Sequence, residues 1–298
     1  MSGAGRLVVV ATPIGNLGDL SPRARATLGE ADVVACEDTR HTGVLLQASG
    51  VRAHRLVSLH EHNEAARVDE LLAVLTGGGT VALVSDAGTP LVSDPGARLV
   101  AAAAAADVVV QAVPGPSALL AALVVSGFDT RRFRFEGFLA RKGTERRAAL
   151  ERLARAEEPT VCYESPQRLT ATLSELAARC GGDRRVAVAR ELTKRFEETW
   201  RGTLAEAERW SGDHAARGEY VLVLDAAPPA LAGAERSPED LRDLAGRLIA
   251  AGLRRKDAAS ALEICLSLPR RTAYDASLAG TAAREEAASE GGGDAPVR

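Results

Sequence analysis

Apolar and polar positions in the first half of the chain repeat as one unit: a short apolar run, a cluster of small and polar residues, then a helix-length stretch. The runs fall at 7–11, 33–36, 56–59, 81–84 and 108–113. Each is short, rich in β-branched residues and bounded by turn formers, which predicts buried strands. Helices are predicted from Ser21-Pro22 to about 30, from 40 to about 49, over 65–75, through the alanines of 101–106, and over 118–126. Strand–loop–helix repeated in this way predicts an α/β fold with a mostly parallel sheet. The polar loops after its strands would share one edge, where such sheets bind ligands. The densest loop lies in 81–96, VALVSDAGTPLVSDPG. Gly88 lets backbone approach a ligand closely, and Asp86 and Thr89 put polar groups at a strand end. Asp94 followed by Pro95 predicts a helix N-cap with proline at the first helical position.

From Phe133 the pattern changes. Residues 133–138 and 186–189 alternate, 220–224 form another apolar run, and 145–155 and 167–178 have helical character. This predicts a second α/β domain with more antiparallel strands. The expected organisation is an N-terminal α/β domain over 1–115, a second over 116–225, a Pro/Ala/Gly-rich linker over 226–237, a small helical module over 238–279 and a disordered tail over 280–298.

Composition narrows the class. With 298 residues, 46% hydrophobic and 26% charged, the chain reads as a soluble globular protein of about two domains. Aromatics are only 3%, so the core must be built from Val, Leu and Ala. The net charge of −3 gives no global field for a polyanion, leaving only local patches. One such patch, 129–155, holds nine Arg or Lys against four acids and includes Arg131, Arg134, Arg141 and Lys142. Others lie at 184–201 and 254–256. Phe133, Phe135 and Phe138 interleave with the first patch, as core residues or as base-stacking platforms. Cys36, Cys162, Cys180 and Cys265 form no CxxC pair and read as thiols of a reducing, cytoplasmic setting. No apolar run is long enough to cross a membrane, and residues 1–6 show no signal peptide.

Common nucleotide fingerprints are missing: there is no GxGxxG and no GxxxxGK[ST]. His60-Glu61-His62 would place both imidazoles on one side of an extended backbone, yet no third ligand is near, so no metal site is expected. Asp38 and Arg40 either pair on the surface or serve as base and phosphate anchor.

Eight blocks then fall in register: ATPIGNLGDLSPRA (11–24), ACEDTR (35–40), SLHEHNE (58–64), VSDAGTPLVSDPG (84–96), PGPSA (114–118), YESPQRL (163–169), ARELTK (189–194) and GEYVLVLD (218–225). Together they resemble the bacterial ribosomal RNA small subunit methyltransferases I, of the tetrapyrrole-methylase-like superfamily. The resemblance spans 7–225 and extends to the helical module. It implies two α/β domains with S-adenosylmethionine in the cleft between them, and methyl transfer to the ribose 2′-oxygen of a cytidine in the decoding region of 16S rRNA. It also implies a homodimer whose partner is 16S rRNA or the small ribosomal subunit. The cofactor residues it implies are Asp86, Ala87, Gly88, Thr89, Pro90 and Val92, with Ser117 and Ala118 on the opposite edge. Thr12 and Pro13 would lie beneath, and Tyr163, Glu219 and Tyr220 would come from the second domain. Gln167 stands where the family pattern has His, and glutamine hydrogen-bonds but does not titrate.

Methyl transfer to a ribose hydroxyl is an in-line displacement that needs positioning and a base for the hydroxyl proton. Asp38, Glu61 and Glu164, beside strand ends, are the candidate catalytic carboxylates; Arg40, Arg190 and Lys194 are candidates for flanking phosphates. Two alternatives stay open: a tetrapyrrole methyltransferase, and an RNA-binding ribosome-assembly protein with a vestigial cleft.

Overall fold

Burial on both faces accounts for the apolar runs of the first half. The computed structural model describes residues 5–60, 62–213, 217–228, 238–266 and 268–279. Strands β1 (Arg6–Val10), β2 (Val33–Cys36), β3 (Leu56–Ser58), β4 (Thr80–Leu83) and β5 (Val109–Val113) form one parallel sheet in the order β3-β2-β4-β1-β5. Successive side chains point to opposite faces. Leu7, Val33, Ala35, Val81 and Leu83 pack with Leu71, Leu75, Leu99 and Ala103 of α3 (Glu64–Thr76) and α4 (Ala97–Ala105). Val8, Val10, Val34, Cys36 and Ala82 pack with Ala24, Leu28 and Leu46 of α1 (Pro22–Glu30) and α2 (Thr39–Ala48). Each aliphatic side chain so buried contributes roughly 1.5–3 kcal/mol.

The neighbours β1 and β4 lead their chains to opposite sides of the sheet, β1 toward β2 and β4 toward β5. Such a reversal opens a crevice at the carboxyl ends of the two strands. Two backbone hydrogen bonds span it: Thr12 N–H to the Gly88 carbonyl at 2.9 Å, and Gly88 N–H to the Thr12 carbonyl at 3.0 Å.

The second domain carries a mixed sheet in the order β6-β7-β10-β8-β9. Its strands are β6 (Arg134–Phe138), β7 (Thr160–Glu164), β8 (Arg185–Arg190), β9 (Glu198–Thr203) and β10 (Tyr220–Leu224), of which only β6 and β7 run parallel. One face packs on α6 (Gly143–Ala154), α7 (Leu169–Cys180) and α8 (Leu204–Asp213). The other packs on Leu119, Ala122 and Leu123 of α5 (Ala118–Ser126) and on Ile14, which the first domain inserts into this core. The edge strand β9 was not expected; its sequence ETWRGT has no apolar alternation, because it pairs on one side only.

A second unit begins after Ala227. It contains α9 (Pro238–Ala250) and α10 (Arg255–Leu266), and Leu241, Ala245, Leu262, Ala273 and Ala276 form its core. Most of the expected linker (229–237) and the whole expected tail (280–298) lie outside the described residues. Among the described residues no helix is long and apolar enough to cross a membrane.

Aromatic residues are segregated. No Phe, Tyr or Trp precedes Phe128 in the chain. Trp200 and Trp210 stack on each other in the second domain, with ring centroids 5.5 Å apart.

The N-cap expected at Asp94 is not formed. Helix α4 begins three residues later at Ala97, with Gly96 at φ 121° before it and no cap from its own loop. The buried carboxylate of Glu64, at the start of α3, accepts instead from Gly96 N–H at 3.2 Å and Arg98 N–H at 2.9 Å. An acceptor borrowed from a neighbouring helix satisfies donors that the loop leaves open. Glu64→Ala is therefore expected to lower stability by about 1–2 kcal/mol. Urea unfolding measures the loss, and faster amide exchange of Arg98 locates it at the start of α4.

Candidate functional site

The crevice after β1 and β4 opens into a cavity of about 390 Å³. That is within the range of small-molecule sites. From the first domain its wall takes Ile14, Asp86, Ala87, Gly88, Thr89, Val92, Ser93 and Asp94. Ser117 and Ala118, at the start of α5, continue it, and Phe138, Tyr163, Glu164, Ser165, Pro166, Gly218, Glu219, Tyr220 and Val221 close it from the second domain.

Local chemistry explains these placements. Gly88 adopts φ 84°, a left-handed conformation that glycine takes without steric cost. A Cβ there would lie 3.3 Å from the Ile14 side chain. Thr89 Oγ1 donates to the Pro116 carbonyl at 3.1 Å and so ties the loop after β4 to the segment that starts α5. Ser117 caps α5 through its side chain. Tyr163 lies between Phe135 and Phe138, with ring centroids at 5.1 and 5.3 Å. Phe138 is 61% exposed and belongs to the cavity rim rather than to the core.

Of the residues expected to hold a cofactor, Asp86, Ala87, Gly88, Thr89, Val92, Ser117, Ala118, Tyr163, Glu219 and Tyr220 line this cavity. Thr12, Pro13 and Pro90 do not; all three are buried, and Thr12 Oγ1 donates to the Ser85 carbonyl at 3.2 Å. Asp86 also links two loops, its Oδ1 accepting from Asp38 N–H at 3.1 Å with His41 Nδ1 at 3.6 Å.

The candidate bases fare differently. Asp38 is outside the cavity lining, caps α2 and is salt-bridged to Arg40 at 2.7 Å. Hydrogen bonds from the Arg40 side chain and backbone hold its carboxyl well below the usual carboxylate range. Glu61 lies outside the described residues. Glu164 borders the cavity, but its carboxylate is wholly buried. It accepts from Ser165 N–H at 2.7 Å and Thr172 Oγ1 at 2.6 Å and is salt-bridged to Arg168 at 3.2 Å. Thr172 in turn accepts from the buried Arg146 at 3.0 Å. This is a structural network rather than a base aimed at a substrate.

Asp94 is a site residue that the sequence marks only as a helix cap. It lines the cavity, burial pushes its carboxyl up to about 6, and the like charges of Glu37 and Asp86 add to the rise against a hydrogen bond from Ser85. Its Asp-Pro pair carried a helix-capping signature, so the one sequence signal it gave pointed elsewhere. Burial also raises the Glu37 carboxyl, followed by the charge of Asp86.

Much of the expected basic surface is already paired. Arg131 is bridged to Asp129, Arg134 to Glu158, Arg152 to Glu136 and Arg146 to Glu175. Lys194 bridges Glu191 and Glu219, and Arg190 donates to the Arg217 carbonyl. Arg141 and Lys142 are exposed and enter no ion pair with the described residues.

Residues 6–208 match the family model of the Tetrapyrrole (Corrin/Porphyrin) Methylases. The ribosomal RNA small subunit methyltransferase I of Synechocystis sp. is 48% identical, over 92% of this chain and 98% of its own. Its namesake in Mycobacterium tuberculosis is 45% identical, over 92% and 95%. Among solved structures, a cobalt precorrin-4 methyltransferase superposes with a TM-score of 0.57 at 17% identity, over 74% of this chain and 94% of its own. A uroporphyrin-III C-methyltransferase from Thermus thermophilus, complexed with S-adenyl homocysteine, gives 0.52 at 21%, over 74% and 97%.

The hydrogen-bonded role of Glu164 is testable by folding alone. Glu164→Gln turns an amide N–H₂ toward Arg168 or withdraws an acceptor from Thr172, and should cost about 2–4 kcal/mol. Paired with Thr172→Val in a double-mutant cycle, the coupling measured by urea unfolding should be about 1–2 kcal/mol.

Proposed function

The chain belongs to the tetrapyrrole methylase family, in its ribosomal RNA small subunit methyltransferase I branch, and from that premise we propose that it methylates the ribose 2′-hydroxyl of a cytidine in the decoding region of 16S rRNA. It is an S-adenosylmethionine-dependent methyltransferase. The observation that carries the reading is the agreement of a relative 48% identical along 92% of the chain with a cavity at the sheet's switch point. Likeness to the corrin and porphyrin enzymes at 17–21% identity shows the fold and carries no argument for a tetrapyrrole acceptor.

The cavity suits the cofactor on its own chemistry. Ala87, Gly88 and Ala118 leave room beside backbone, while Asp86, Asp94 and Glu219 supply negative charge beside a cationic ligand. Bound there, S-adenosylmethionine supplies an electrophilic methyl group on a positively charged sulfur. The chain's part is then to exclude water, to hold the acceptor ribose in line and to take up its proton. Thr89, Val92, Ser117 and Tyr163 would hold the adenosyl part. The exposed cations Arg141 and Lys142, three and four residues past Phe138 on the rim, would meet RNA phosphates. Arg40, Arg131, Arg134, Arg190 and Lys194 already carry acidic partners that offset their charge, which makes them weaker anchors.

A homodimer is part of the same reading. The edge strand β5 exposes Val109 and Val110, and α5 exposes Leu120 and Val124. Unpaired apolar edges of this kind are normally covered, and a second copy of the chain would cover this one. A cytoplasmic location follows from the ribosomal substrate.

The defining experiment incubates the protein with labelled S-adenosylmethionine and either free 16S rRNA or small subunits lacking the modification. Transfer to one cytidine ribose, read by mass spectrometry of nuclease fragments, is the expected result; no transfer to either would refute the reading. Thr89→Arg should weaken S-adenosylhomocysteine binding by on the order of 100-fold in calorimetry while circular dichroism stays unchanged. Arg141→Glu with Lys142→Glu should weaken rRNA binding by about 10-fold and leave that calorimetric affinity intact.

A further inference from the structure

We propose that Asp94 is the general base that takes the proton of the acceptor ribose hydroxyl. The proposal rests on the reading that the cavity holds S-adenosylmethionine and admits a ribose. Four carboxylates border that cavity: Asp86, Asp94, Glu164 and Glu219. Glu164 is wholly buried and committed to Ser165, Thr172 and Arg168. Glu219 is 76% exposed on its side chain and salt-bridged to Lys194 at 2.9 Å. Asp86 accepts from Asp38 N–H through Oδ1 and stands 3.6 Å from His41 Nδ1, which ties it to the loop after β2. Asp94 accepts a hydrogen bond from Ser85, carries no salt bridge among the described residues and stands in the wall with Tyr163.

The loop is built to hold Asp94 there. Leu91 and Ser93 take φ 71° and 70°, left-handed values that non-glycine residues seldom adopt, and Gly96 follows at 121°. The bulge of β6 brings Gly137 of the second domain so close that a Cβ there would lie 3.0 Å from Ser93 Oγ. Capping of α4 by Glu64 frees Asp94 from the task its sequence suggests.

As the ribose O2′ forms its bond to the methyl carbon, the hydroxyl proton passes to an Asp94 carboxylate oxygen. The methyl–sulfur bond breaks with its electron pair left on sulfur, so one negative and one positive charge disappear together. Asp94 then returns its proton to water. A base whose proton affinity sits just below the working pH is well matched to this task. Among the described residues, Glu37 at the end of β2, Asp86 at the end of β4 and Tyr163 of β7 are the titratable groups that face it. His60 stands beside Glu37, and His41 beside Asp86.

Asp94→Asn and Asp94→Glu test the assignment. The Asn variant should bind S-adenosylhomocysteine within about 2-fold of wild type in calorimetry and lose single-turnover methyl transfer by about 100-fold or more. Wild-type transfer should rise with pH through a limb near 6 that the Asn variant lacks and the Glu variant keeps. The folded chain holds this proton to higher pH than the unfolded chain does, so a charged Asp94 costs stability at neutral pH, and Asn should leave Tm unchanged or raise it there. Glu37→Gln, which removes one like charge, should move the limb to lower pH and leaves Asp94 in place should the Asn variant fold poorly. Full transfer by the Asn variant, loss of S-adenosylhomocysteine affinity along with transfer, or an unmoved limb in Glu37→Gln would each overturn the assignment. A wild-type protein that binds no S-adenosylhomocysteine would instead overturn the reading beneath it.

Discussion

Two hydrogen bonds between Thr12 and Gly88 hold together the loops on which the rest of the site depends. They join the carboxyl ends of β1 and β4, the strands whose chains part in opposite directions. Thr12 is buried by this pairing and grips the Ser85 carbonyl, and Gly88 is forced into a conformation that a side chain would strain. Ile14, two residues past Thr12, then reaches into the core of the second domain among Ala187, Ala189 and Val221. One loop thus lends Ile14 to the cavity wall and ties both domains to it. Preorganisation of this sort matters for a displacement reaction, where misplacement by about 1 Å can cost on the order of 100-fold in rate.

Charge is distributed with similar economy. Carboxylates border the cavity, where a cationic methyl donor belongs, and several arginines of the basic patch, Arg134, Arg146 and Arg152 among them, are neutralised by acids that fold beside them. What the surface offers a polyanion is therefore smaller than the count of basic residues suggests. Arg141 and Lys142, in the segment after β6 next to the cavity rim, are exposed and enter no ion pair among the described residues.

The parallel sheet was legible because burial on two faces leaves uninterrupted runs such as Val33–Cys36, and the turn residues after each run marked the ligand edge. Family resemblance added further residues of the cavity wall, including Ser117 and Tyr163. The remainder depended on partners distant in sequence. Glu64 takes over the capping of α4, so the Asp94-Pro95 pair means something other than its usual signal. Arg134 and Arg146 find Glu158 and Glu175 only once β6, α6 and α7 have packed. Glu164 looked available beside a strand end, and only its contacts with Thr172 and Arg168 show that its lone pairs are taken.

The segregation of aromatic side chains carries a practical consequence. With no Phe, Tyr or Trp before Phe128, the N-terminal domain is optically silent in the near ultraviolet. Trp200 and Trp210, stacked on each other, give the chain's only indole emission, and that emission reports the packing of the second sheet alone. Unfolding followed by fluorescence would see half of the α/β architecture. A probe of the other half has to be installed, and Val44, exposed on α2 and outside the cavity wall, offers a place for a tryptophan.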